Sequence, residues 1–219
     1  MRFFAALRLH PIAARLARRL AVDAAVAEIA GLDERWWRRH EGPYHDGGWE
    51  ALALWSPRGD LFEQRSTGGA FAATTALQSS PGLRSVVDQL PGLRNRVRLM
   101  RLLPGARILP HYDPIDTRAQ ARVRLHVPVV TSPEVDFVIG ARRIVMQPGE
   151  AWFLDVRFTH AVWNRGTTPR VHLVADLEPD RELEGLLATA EVFGRGSLFK
   201  YWAKQRLPYR IRRLIRAEN

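Results

Sequence analysis

"NRVRLMRLLPGARILPHYD", residues 95–113, is where the grain of this 219-residue chain changes. Apolar and polar residues alternate, break at Pro104-Gly105, and resume. Alternation sends successive side chains to opposite faces, which is the signature of a strand. Further short runs follow: "ARVRLHVPVV" (121–130), "VDFVIG" (135–140), "RRIVMQ" (142–147), "EAWFLDV" (150–156), "HAVWN" (160–164) and "RVHLVADL" (170–177). Turn-forming steps separate them: TSPE, GA, PG and RGTTP. Many short strands at this spacing, with helices kept outside the block, predict a mainly β fold with flanking helices. The expected architecture is a double-stranded β-helix, a jelly roll of the cupin-like kind. The two-residue step Gly140-Ala141 predicts a tight hairpin.

Working outward, residues 95–178 form the expected β core of a single domain. Residues 1–94 are expected to be a helical and aromatic region packed on it, and residues 179–219 a basic helical segment. Residues 3–30 carry Leu7, Leu16, Leu20, Val26 and Ile29 at helical spacings, with a break at Pro11, and predict one or two helices. "WEALALW" (49–55) alternates as a strand, "SPRGD" (56–60) reads as a turn, and "SSPGLRSVVDQL" (79–90) as a short helix ended by Pro91.

Composition sets the outer bounds. The chain is 46% hydrophobic and 26% charged, the balance of a globular protein. It has no cysteine, so any metal must be held by His, Asp or Glu, which favours Fe, Mn or Zn. No apolar run reaches the ~18 residues of a membrane span. Arg8 and His10 interrupt the apolar start, and no small-residue cleavage site follows, so the expectation is a cytoplasmic protein. The net charge of +10 is unevenly placed. Residues 1–22 and 195–219 hold 13 of the 33 basic side chains and 1 of the 23 acidic ones. These termini are either solvated helix faces or a docking surface for an acidic carrier or partner protein. Nucleic acid is not expected, because the bias towards arginine reflects GC-rich coding rather than a recognition pattern.

One pair in the opening stretch carries chemistry. His111 and Asp113 are two apart and share a strand face. Alone the pair means little, since composition gives about 0.7 His-x-Asp/Glu by chance. His160, on a distant strand, adds a second imidazole. Two histidines and one carboxylate fill one face of an octahedron and leave three positions open, the facial triad of non-heme Fe(II) oxygenases. Arg170, ten residues after His160, offers the planar fork that binds a carboxylate in two places.

The motifs "LPGARILPHYD", "RVRLHVPVV", "PGEAWFLD" and "THAVWNRGTTPRVHLVADL" resemble those of the aspartyl/asparaginyl β-hydroxylase family, including its proline cis-4-hydroxylase-like members. The resemblance covers residues 95–178 and extends weakly to "WWRRHEGPYHDGGWEALAL" (36–54). It implies a 2-oxoglutarate-dependent dioxygenase using Fe(II) and O2, which hydroxylates an amino acid or an aspartyl/asparaginyl-type residue of a peptide or protein and releases succinate and CO2. His111, Asp113 and His160 would then be the iron ligands, and Arg170 would hold the far carboxylate of 2-oxoglutarate. Arg124 and His126 would contact the metal-proximal end of that acid or the substrate, or else form a polar cross-strand pair. His172, facing the same way as Arg170, would bond the cosubstrate or a ligand, or sit satisfied in the core. Vertebrate-type members have glycine where Asp113 stands and a serine near the position of Met100. Their substrate is therefore not carried over.

Other residues stay open. Trp152 and Trp163 are core or substrate cage. His40 and His45 belong to a substrate lid or to an ordinary packed loop. Arg122, Arg124, Arg142 and Arg143 are candidates for pairing with a substrate carboxylate. Two rival functions remain at this point: a cupin-like metalloenzyme that needs no 2-oxoglutarate, and a non-catalytic β-barrel module that docks through its basic termini.

Overall fold

The alternating runs become strands that pair antiparallel throughout, in a computed structural model describing residues 9–63, 69–113 and 122–198. In chain order they are β1 Leu9–Pro11, β2 Ala13–Arg19, β3 Arg38–Arg39, β4 Trp49–Pro57, β5 Phe71–Ala73, β6 Leu93–Leu102, β7 Arg107–His111, β8 Val123–Val130, β9 Val135–Ile139, β10 Arg142–Ile144, β11 Glu150–Leu154, β12 His160–Asn164, β13 Arg170–Glu178, β14 Glu191–Val192 and β15 Arg195–Ser197. Four helices flank them: α1 Asp23–Ala30, α2 Thr75–Gln78, α3 Pro81–Asp88 and α4 Arg181–Ala188.

A major sheet runs β14-β2-β11-β8-β13-β6-β4-β3, with β5 added beside β4. A minor sheet runs β10-β9-β12-β7. Trp152, Leu154 and Leu102 of the major sheet pack with Ile108, Phe137, Ile139 and Val162 of the minor one. The two facing sheets make a jelly roll, the double-stranded β-helix. The other face of the major sheet carries Leu52, Leu54, Val97, Leu99, Leu125, Val127, Leu173 and Leu177, buried under the helices through Ala25, Leu77, Leu83, Val86 and Leu183. Each such side chain taken fully from water contributes about 1.5–3 kcal/mol. The helix layer is fastened at one end by Glu28 of α1, whose carboxylate accepts the backbone N–H groups of Gly82 and Leu83 at 2.7 and 2.8 Å. A carboxylate there also meets the positive end of α3.

Two expectations need correction. Residues 9–19 are strands, and helix begins only at Asp23. Ala and Arg favour helix, but β2 lies beside β11, pairing Ala13 with Leu154 and Ala14 with Phe153. Ala13, Ala14 and Leu16 are buried there, so sheet pairing overrides local preference. The N-terminal region is also no separate helical cap, because β2 and β4 lie in the same sheet as β8, β13 and β6. Beyond α4 the chain forms β14 and β15. The basic segment 199–219, like residues 1–8, lies outside the described residues.

The Gly140-Ala141 hairpin forms as its sequence predicts. Ile139 pairs with Arg142, and both turn residues have positive φ, 54° and 64°, as a type I′ turn requires.

Candidate metal centre

The minor sheet brings the two distant histidines together. β7 and β12 are neighbours, and His111 is paired directly with His160, their rings 4.3 Å apart at the centroids. Asp113 lies just past the end of β7, its N–H donated to the Val156 carbonyl at 2.9 Å. One ligand atom from each of His111, Asp113 and His160 can be chosen so that all lie within 4.8 Å of one another.

Both imidazoles are oriented by the same local device. His111 Nδ1 donates to the Leu109 carbonyl at 2.8 Å, and His160 Nδ1 to the Phe158 carbonyl at 3.1 Å. A carbonyl can only accept, so each Nδ1 carries a proton, which leaves Nε2 as the ring nitrogen able to take a metal. That is the tautomer a metal needs. Burial and the nearby His111 pull His160 down to about 4, so it stays neutral. The donor set fits a divalent first-row ion: two imidazoles and one carboxylate, with no thiolate.

Asp113 is in turn held from behind. Its Oδ2 accepts from Arg124, whose Nε donates to Asp176 Oδ1 at 2.7 Å. Arg96 closes on Asp176 Oδ2 at 2.6 Å. Burial would raise the carboxyl of Asp176, but Arg124 and Arg96 outweigh it and hold it well below the carboxylate range. Burial likewise opposes the charge of Arg124, and the two aspartates outweigh it. Arg124 thus braces Asp113, which the sequence did not foretell. It also lines the cavity and has N–H donors beyond its three bonds to Asp113 and Asp176.

A cavity of about 380 Å³ opens in front of this trio. Arg170 and His126 reach it from the major sheet. Arg170 is 3% exposed, and no carboxylate of the described residues pairs with it. Its Nη2 donates to His172 Nδ1 at 2.6 Å, and its Nε has no partner. Burial pushes it down to about 9. His172 does not line the cavity and serves as the acceptor that steadies Arg170. Both ring nitrogens of His126 are buried without a partner, and burial with the nearby Arg170 keeps the ring neutral.

The loop before β4 forms a wall of the cavity. Tyr44 stacks on His111, rings nearly parallel at 5.0 Å. His40 stacks on Trp49 at 3.6 Å. His45 does not line the cavity; it bonds the His40 carbonyl and ties the loop to itself. The loop is pinned to β7, since Leu109 N–H donates to the Tyr44 carbonyl at 2.7 Å. Gly48 leaves no room for a side chain, as a Cβ there would stand 2.4 Å from that of Ala106.

The remaining candidates fall elsewhere. Trp152 is buried in the core. Trp163 points away from the cavity, between the guanidinium groups of Arg107 and Arg165. Arg142 and Arg143 are exposed on β10, Arg143 pairing with Asp136, and Arg122 does not line the cavity. Three residues of the site were missed: Arg96, Arg98 and Asp176. Their signal lay in "RVRL" and "VADL", where Val97, Leu99, Ala175 and Leu177 face the helices and so turn the polar residues inward.

A jelly roll with two imidazoles and a carboxylate on its minor sheet, and a buried arginine facing them, defines a candidate mononuclear metal enzyme. The family model for aspartyl/asparaginyl beta-hydroxylase matches residues 21–179, and the chain belongs to that family. It is 27% identical over 199 residues to L-proline cis-3-hydroxylase 2 of a Streptomyces species, covering 88% of this chain and 66% of that one. It is 28% identical over 178 residues to L-proline cis-4-hydroxylase of Rhizobium meliloti, covering 79% and 61%. The chain thus spans slightly under two thirds of the length of these relatives. Among solved structures, a prolyl-4-hydroxylase of Pseudomonas putida overlays with a TM-score of 0.47 at 16% identity, covering 78% of this chain and 94% of that one.

Proposed function

We propose that the chain is an Fe(II)- and 2-oxoglutarate-dependent hydroxylase of a small amino acid, in which His111, Asp113 and His160 hold the iron. The observation that carries this reading is one cavity containing both an oriented His-Asp-His set and a buried arginine lacking a carboxylate. Burial of such an arginine is costly unless an anion meets it, and the far carboxylate of a diacid cosubstrate held at the His-Asp-His set would supply that anion. When bound, the iron and 2-oxoglutarate supply oxidation of a C–H bond by O2, with succinate and CO2 as coproducts.

The chain's own residues do the rest. Arg170 clamps the far carboxylate of the cosubstrate, and His172 fixes the arginine's plane. His126 offers a ring N–H to the same acid or to the substrate. Arg124 and Asp176 keep Asp113 facing the ion. Trp49, Tyr44 and Val162 keep the cavity dry, which strengthens every charged contact inside it. β2 and β4 complete the sheet that carries Arg170, so we take the chain to act as one domain. Small amino-acid substrates are favoured by the L-proline for which both relatives are named and by the size of the cavity.

The test is anaerobic titration of the Fe(II)-loaded protein with 2-oxoglutarate, followed by aerobic succinate release with free amino acids. Saturable binding and substrate-stimulated succinate are expected. A loaded protein that neither binds nor consumes 2-oxoglutarate would overturn the proposal.

A further inference from the structure

We propose that Arg98 anchors the substrate through a free carboxylate, at a position separate from the one that holds the cosubstrate. The inference rests on the hydroxylase reading above and deepens it.

Arg98 lies on β6, on the cavity side of the major sheet, and lines the cavity. It is 6% exposed. Its Nε is buried with no hydrogen-bond partner, and among the described residues no ion pair neutralises it. Burial, then the nearby Arg96, drive it well below its ordinary value. A guanidinium does not give up its proton in a protein. Among the described residues this desolvated cation therefore has no ion-pair partner, and that arrangement is expensive unless a ligand supplies the anion.

The bonding of the nearby aspartates points the same way. Asp176 accepts from Arg96 and Arg124, and Asp113 accepts from Arg124, so neither bonds Arg98. Arg170, further along the sheet, is a second buried guanidinium with no carboxylate partner among the described residues. Two such guanidinium groups call for two carboxylates.

One diacid cannot serve both. Arg98 is paired across the strands with Val174, four residues along β13 from Arg170. At ~3.3 Å per residue, that places the Cα atoms of the two arginines about 13 Å apart along the sheet. A cosubstrate chelated at the metal and clamped by Arg170 leaves Arg98 open. The space beside Arg98 is bounded by Met100, Trp49 and the His40 ring stacked on it. Glu41, exposed and also lining the cavity, supplies the carboxylate that a free ammonium would meet. The combination suits a compact free α-amino acid. It does not suit an internal residue of a peptide, whose backbone carries no carboxylate.

The experiment uses the anaerobic Fe(II) protein with saturating 2-oxoglutarate and isothermal titration calorimetry. The probes are the individual proteinogenic L-amino acids, L-proline among them, each beside its α-amide. For any amino acid that binds, the acid should bind about 100-fold tighter than its amide, the range expected for hydrogen bonds to a charged group. Arg98→Gln should remove that preference and leave 2-oxoglutarate affinity within about twofold of wild type. Arg98→Lys keeps the buried charge without the fork and should retain part of the preference, and it replaces the glutamine variant should that one be insoluble. Three results would overturn the inference: acids and amides binding alike, a preference that survives Arg98→Gln, or lost 2-oxoglutarate affinity in that variant. Normal 2-oxoglutarate binding with no bound amino acid at all would also overturn it, while leaving the hydroxylase reading intact. Failure to bind 2-oxoglutarate would instead sink the latter.

Discussion

Asp176 does not bond to Asp113, yet the two are joined through a single guanidinium: Arg124 donates to both. A side chain on the major sheet thereby sets the aim of a candidate ligand lying just past β7. Replacing Asp176 by Asn should leave Arg124 with one charged partner and free it to swing. Metal affinity should fall about 10- to 100-fold, the usual effect of losing a ligand's supporting bond. The buried cluster should also lose stability, by about 3–5 kcal/mol where one partner of a buried pair is removed. Metal titration followed by urea unfolding measures both, and unchanged metal affinity would show that Asp113 needs no brace.

Metal should itself stabilise the fold. An ion held by the folded state alone raises stability by about 2.7 kcal/mol at a hundredfold excess over its Kd. Thermal melts with and without Fe(II) or Mn(II) should therefore separate for the wild type and coincide for His111→Ala and for His160→Ala. A melting shift that persists in both variants would place the ion elsewhere.

Arg170→Gln should weaken 2-oxoglutarate by roughly 10- to 100-fold and leave metal binding intact, because a charged hydrogen-bonded contact contributes about 1.5–3 kcal/mol. Equal affinity for the two proteins would mean that the clamp lies elsewhere.

Acid should unfold the protein earlier than its carboxylates alone would. His126 and His172 are held below the ordinary histidine value by burial, and His40 is lowered to about 4, again chiefly by burial. The unfolded chain takes up protons near pH 6.5, where the folded one does not. Stability is therefore full above about 6.5 and drains away as pH falls towards 4. Melting temperatures at pH 7.5 and 5 check the sign. The His126→Asn variant should show a shallower pH dependence than the wild type.

Ala141 is a residue with a side chain held at φ 64° in the β9–β10 turn. Glycine takes that conformation without the steric cost, so Ala141→Gly should stabilise the protein by about 1 kcal/mol. A rise of a few degrees in Tm would be the expected reading, and a fall would mean that the methyl group packs usefully.

The core strands were legible because alternation and turn residues agreed, as at "VDFVIGARRI", where the chain could hardly turn otherwise. His111, Asp113, His160 and Arg170 were legible as candidates because their spacing matches a known pattern. What escaped was everything set by the partner across the sheet. Residues 13–19 look helical in isolation and became a strand because β11 offered an unpaired edge. Nothing local says that Arg124 bonds Asp176, 52 positions away. Arg98 looked like any strand arginine, since nothing local says that Val97 and Leu99 point to the helices and leave it inside.

The loop from His40 to Gly48 has one consequence of a different kind. It forms a wall of the cavity, it is bonded to the strand that carries His111, and Tyr44 lies flat on that histidine. The cavity wall and the candidate metal site are thereby mechanically one part. A lineage drifting towards a new substrate by altering this loop would disturb that site at each step. Innovation is left to the opposite sheet, where Met100 and Val174 can change size without touching a ligand.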